Sequence, residues 1–205
     1  MQTELLIPSP AGHLEARLYH PRDAVRAIVL CHPHPQYGGS MHDTVVYTLD
    51  DVARRHGFAT LRFNFRGVGE STGHFDSGAG EVDDLLAALA WMRDRVGAMP
   101  VWLAGFSFGS NVVWRAIERA GDVAGVLLVA PPVTMMDFSA RPPTSGLAVT
   151  LIAGDRDDYV DAADLGRWAA NASPSANVEI IAGADHFFSG RYSELAKAAD
   201  RTLAA

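Results

Sequence analysis

The sequence predicts an α/β domain, and three observations carry that prediction. Short β-branched runs bounded by Gly, Pro or His alternate along the chain with longer stretches of helical period. The internal runs are nearly continuous in apolar character, as expected of parallel strands covered on both faces. The 205 residues, 48% hydrophobic and 20% charged, suffice for one large core and leave little for a second.

Element by element, the opening residues depart from the alternation. Residues 3–7 (TELLI) and 13–20 (HLEARLYH) flank the turn-rich Pro8-Ser9-Pro10-Ala11-Gly12 and read as an antiparallel hairpin. Strand-like runs follow at 26–31, 58–64, 100–105, 123–130, 147–153 and 177–181. Helical period occupies about 42–56, 81–95, 108–120, 160–170 and 190–203. In the clearest of these, 81–95, Val82, Leu85, Leu86, Leu89 and Met92 keep one apolar stripe, while acidic residues gather at the positive end of the helix dipole. Residues 132–146, rich in Pro and small side chains, read as a loop with a turn of helix. No repeat, linker or boundary interrupts the pattern, so a single domain over 1–205 is expected.

Composition excludes several classes of function. The formal net charge is −7, with no dense Lys/Arg cluster to neutralise a run of phosphates, so nucleic acid is not an expected partner. The one cysteine, Cys31, precludes an intrachain disulfide framework and a multi-cysteine zinc site. No apolar run reaches the roughly 20 residues that span a bilayer, and MQTELLIPSP lacks a basic segment followed by an apolar one. A cytoplasmic protein without membrane insertion is expected.

The segment from Val101 to Asn111 is the most informative: a strand, then Gly105-Phe106-Ser107-Phe108-Gly109, then a helical stretch. This is the context of a nucleophile elbow, a turn sharp enough to project a serine Oγ above the strand ends while flanking glycines admit neighbouring backbone. A serine nucleophile needs a general base and a group to orient it. Acids follow the predicted strand 147–153 at Asp155, Asp157 and Asp158, and His186 follows the last one. Both loops open on the same edge of a parallel sheet, where the active sites of such folds lie.

The chain resembles the α/β-hydrolase superfamily, and in particular its small lid-less bacterial serine hydrolases. Three motifs in order carry the resemblance: His32-Pro33-His34-Pro35-Gln36-Tyr37-Gly38-Gly39, Asn64-Phe65-Arg66-Gly67-Val68-Gly69-Glu70-Ser71 and the Gly105–Gly109 elbow. The resemblance implies a mostly parallel eight-stranded sheet whose second strand is antiparallel, helices on both faces and no lid domain. It implies Ser107 as nucleophile, His186 as base and then acid, and an acid in the 155–158 loop. The family's Gly-x-x-Asp-x-x-Val/Pro pattern falls on Gly154, Asp157 and Val160, which favours Asp157 over Asp155 and Asp158. It further implies oxyanion donors at the backbone N–H of Phe108 and of His34, the latter lying between two prolines that have no N–H; Pro33 stands where the family usually has Gly.

No metal is expected. His32, His34, His42 and Cys31 are close in sequence, but no second cysteine or His-x-x-x-His pair completes a coordination set, and the 155–161 acids lack the Gly and Glu of a calcium loop. The glycines of Arg66-Gly67-Val68-Gly69 fit a tight turn and lack phosphate-loop spacing. The expected activity is hydrolysis of an ester or thioester through an acyl-enzyme, with no cofactor. An acyltransferase or perhydrolase would use the same intermediate, and a binding protein the same fold. Only the 15 residues of 132–146 stand where the superfamily usually carries its lid. Tyr37, Phe108, Met135, Met136 and Phe187 are the expected walls of an open, shallow site for short acyl groups.

Overall fold

A computed structural model describes residues 2–140, 146–173 and 175–204. Strands β1 (Gln2–Ser9) and β2 (Gly12–Tyr19) form the expected hairpin, with Ile7 opposite Leu14 and Ser9 opposite Gly12. The remaining strands are β3 (Arg26–Cys31), β4 (Phe58–Phe63), β5 (Val101–Phe106), β6 (Gly125–Val129), β7 (Ala148–Gly154) and β8 (Asn177–Ile181). They join the hairpin in one eight-stranded sheet of order β1-β2-β4-β3-β5-β6-β7-β8. Only β2 runs against its neighbours; β4 to β8 pair in parallel through β3.

Alternation along the central strands sends side chains into two cores. Ala27, Val29 and Cys31 of β3 and Leu103 of β5 face one core, under helices α2 (Ala79–Val96), α3 (Phe108–Ala116) and α4 (Ala162–Ala172). Ile28, Leu30, Trp102, Ala104 and Phe106 face the other, under α1 (Thr44–Arg55) and α5 (Tyr192–Leu203). Burial on both faces is why these strands read as continuous apolar runs.

Helix ends differ from the sequence expectation for identifiable reasons. The expected starts at 42 and 160 move to Thr44 and Ala162 because Asp43 and Asp161 stand outside the helices, their carboxylates capping the first amides. The expected helix to 120 closes at Ala116. Ile117 and Ala120 are buried and continue the apolar pattern, but Arg93 of α2 takes the carbonyls of Ala120 and Asp122. Within the 132–146 segment, described residues 132–140 form a turn with the amides of Met135 and Met136 on the Pro132 carbonyl; residues 141–145 lie outside the described residues. Asn111 Nδ2 donates to the Asp137 carbonyl at 2.5 Å, and Trp114 and Trp168 both donate to that of Phe138, at 3.1 and 3.3 Å. The segment is thus fastened to α3 and α4. Among the described residues no helix is long and apolar enough to cross a membrane.

Candidate active site

Ser107 sits between β5 and α3 at φ 52°, ψ −116°, outside the regions open to ordinary L-residues, at a cost of about 1–3 kcal/mol. The surroundings enforce that conformation. Its amide donates to the Val129 carbonyl at 2.8 Å, and its carbonyl accepts the Ser110 amide at 2.9 Å. The glycines of the elbow are required by contact: a Cβ on Gly105 would lie 2.3 Å from the Gly109 carbonyl oxygen, and one on Gly109 would lie 2.5 Å from that of Cys31. The start of α3 therefore rests on the end of β3.

The loops after β7 and β8 close on each other by the same device. A Cβ on Gly154 would meet the Ala184 carbonyl oxygen at 2.1 Å. The Arg156 amide donates to that carbonyl at 3.0 Å, and the Gly183 amide donates to Asp155 Oδ1 at 2.5 Å. The three acids of the loop consequently have separate surroundings. Asp155 ties the loops together, Asp158 is exposed, and the Asp157 carboxylate is fully buried against His186. His186 Nδ1 donates to Asp157 Oδ2 at 2.8 Å, with Oδ1 at 3.0 Å. Because a carboxylate only accepts, this fixes the tautomer, so Nε2 accepts the Ser107 hydroxyl at 2.9 Å. Asp157 Oδ1 also takes the amides of Tyr159 and Val160, at 2.8 and 3.0 Å.

A cleft of about 580 Å³ opens above Ser107. The side chains expected as its walls, Tyr37, Phe108, Met135, Met136 and Phe187, all line it, as do His34 and His186. The amides of His34 and Phe108 have no acceptor among the described residues. Sequence reading missed Tyr159, Phe106, Pro132 and Asp43, which also line the cleft. Tyr159 had a signal, since it follows Asp157 by two residues; Asp43 had none, since it reads as part of a helix. The His186 ring lies within 4.7 Å of the Tyr159 centroid, 5.2 Å of Phe187 and 5.5 Å of Phe106. The His34 ring contacts Tyr37, Phe75 and Phe108, and burial lowers its pKa.

The other motif residues build the frame. His32 is fully buried; its Nδ1 donates to the Pro33 carbonyl at 2.6 Å and its Nε2 accepts the Phe65 amide at 3.0 Å. Desolvation lowers its pKa to about 4, so the ring stays neutral and joins the ends of β3 and β4. Asn64 accepts the Met41 amide and donates to Glu15, and Arg66 is committed to Asp84 through paired contacts of 3.0 and 2.8 Å. Burial raises the Cys31 thiol well above its ordinary pKa. Among the described residues no three His, Cys, Asp or Glu side chains are placed to hold a metal ion.

Residues 26–145, more than half of the chain, match the family described as alpha/beta hydrolase fold. The chain belongs to the α/β-hydrolase fold family. An uncharacterised protein of Rickettsia prowazekii is 36% identical over 95% of this chain and 86% of its own length. Among solved structures, an α/β serine hydrolase homologue from Coxiella burnetii is 36% identical, with a TM-score of 0.89 over 97% of this chain and 96% of that one. A serine hydrolase without a lid from Xanthomonas campestris is 33% identical, with a TM-score of 0.90 over 98% and 93%. The chain therefore shares its fold with serine hydrolases, one of them without a lid, and these relatives support a hydrolase.

Proposed function

We propose that the chain is a single-domain, carboxylesterase-like serine hydrolase that cleaves short-acyl esters or thioesters through an acyl-enzyme on Ser107. The observation that carries this reading is the unbroken series from the Asp157 carboxylate through His186 to the Ser107 hydroxyl, with contacts of 2.8 and 2.9 Å. His186 Nε2 takes the Ser107 proton as Oγ attacks the acyl carbon, and Asp157 stabilises the imidazolium that forms. The carbonyl oxygen becomes an oxyanion, met by the free amides of His34 and Phe108. The imidazolium returns its proton to the departing alcohol or thiol, leaving the acyl group on Oγ. Water, deprotonated by the same histidine, then releases the acid and restores the serine. None of these steps needs a cofactor.

The open cleft supports a short acyl group. Each methylene adds about 0.8 kcal/mol only where a wall exists to bury it against, so acyl chains of roughly two to six carbons should be favoured. A panel of chromogenic esters of graded length tests this reading. The expected kcat/KM peaks within that range. No turnover of any ester would overturn the activity, and kcat/KM rising through long chains would overturn the size preference.

A further inference from the structure

Charge is unevenly distributed around the cleft. Apart from His186 and its Asp157 partner, the formally charged side chain on the wall is Asp43, and among the described residues no Lys or Arg lines it. Asp43 Oδ1 is occupied by the cap of α1, taking the amides of Val45 and Val46 at 2.8 and 3.4 Å. Oδ2 has no hydrogen-bond or ion-pair partner among the described residues. Burial disfavours the ionised form of this carboxylate, which leaves an incompletely solvated negative charge beside an open cavity.

The rim supplies a second and independent feature. Tyr37 is 87% exposed, Phe187 55% and Tyr159 47%, so three aromatic rings stand open to solvent around one cleft. Large apolar side chains left in water mark a binding surface, and an aromatic face attracts a cation within about 6 Å of its centre. Two of these rings are already within 4.7 and 5.2 Å of the His186 ring, so a ligand that reaches them lies over the reacting atoms.

We propose that the cleft selects esters whose non-reacting part carries an alkylammonium group, seated between the Asp43 carboxylate and the rings of Tyr37, Tyr159 and Phe187. Esters carrying a carboxylate or phosphate in that place are disfavoured. The proposal deepens the serine-hydrolase reading and rests on it for turnover alone; recognition of the cation is a binding property of the cleft.

The test uses three esters of similar size: butyrylcholine, its neutral isostere 3,3-dimethylbutyl butyrate, and the butyrate ester of 3-hydroxypropanoate. Binding is measured by NMR titration of the Ser107→Ala protein, which keeps the cleft without turning substrate over, and hydrolysis by wild type is followed in parallel. The expected order is cation, neutral, anion, with the cation about five- to twentyfold tighter than the neutral isostere and losing that margin in high salt. Adding Asp43→Asn should bring the cation within about threefold of the neutral ester, since Asn caps a helix as well as Asp does. Equal binding of cation and neutral isostere, or tighter binding of the anion, overturns the proposal. A preference untouched by Asp43→Asn also overturns it; if that variant does not fold, insensitivity of the preference to salt decides the same way. Cation preference without hydrolysis would remove Ser107 as nucleophile and leave the recognition standing, whereas hydrolysis without preference would do the reverse.

Discussion

Asp157 differs from Asp155 and Asp158 by what its carboxylate reaches. It alone faces His186, and it is held there by two backbone amides, so Asp157→Asn should lower kcat by about 10³- to 10⁴-fold by disturbing the histidine tautomer. Asp158→Asn, at an exposed position, should keep most activity. Steady-state kinetics on the two variants check this, and a crippled Asp158→Asn enzyme would contradict it. His32 gives a prediction of a different kind. Its folded pKa, about 4, lies below the ordinary 6.5, so as pH falls the unfolded chain takes up the proton first. The stability contributed by the neutral ring is complete above pH 6.5 and lost as pH drops towards 4, an effect of about 3 kcal/mol. The His32 ring resonances should titrate near pH 4. Titration at the ordinary value would show that the ring is not desolvated between the ends of β3 and β4.

Among the elements, the elbow depends on contact at its glycines as much as on backbone freedom. Gly109→Ala would drive a methyl into the β3 carbonyls and should cost about 3 kcal/mol in denaturant unfolding. Gly166, inside α4 with nothing within 4 Å of its would-be Cβ, is the opposite case, and Gly166→Ala should stabilise by about 0.5–1 kcal/mol. The elements themselves were legible because each buried strand is an apolar run and each amphipathic helix repeats its stripe. Their ends were less so. The caps at Asp43 and Asp161 and the capture of the 120–122 carbonyls by Arg93 depend on side chains reaching across turns or between helices, which periodicity does not register.

At the scale of the whole molecule, the sheet order brings the ends of β3, β5, β7 and β8 to one edge, so residues as far apart as Ser107 and His186 meet. That meeting was legible in the order of the motifs. The composition of the cleft was less so, because Asp43 and Pro132 reach it from loops whose paths no local pattern specifies. With the 132–140 segment pinned by Asn111, Trp114 and Trp168, nothing among the described residues forms a lid, and activity on a sparingly soluble ester should rise smoothly as its concentration passes its own micellar threshold. A jump at that threshold would contradict the open cleft. Whether Ser107 is the nucleophile is read from labelling by a fluorophosphonate probe followed by mass spectrometry. Wild type should be labelled at Ser107 alone, and the folded Ser107→Ala protein should take no label and lose at least about 10³-fold in kcat/KM. Labelling that persists in the alanine variant would contradict the account.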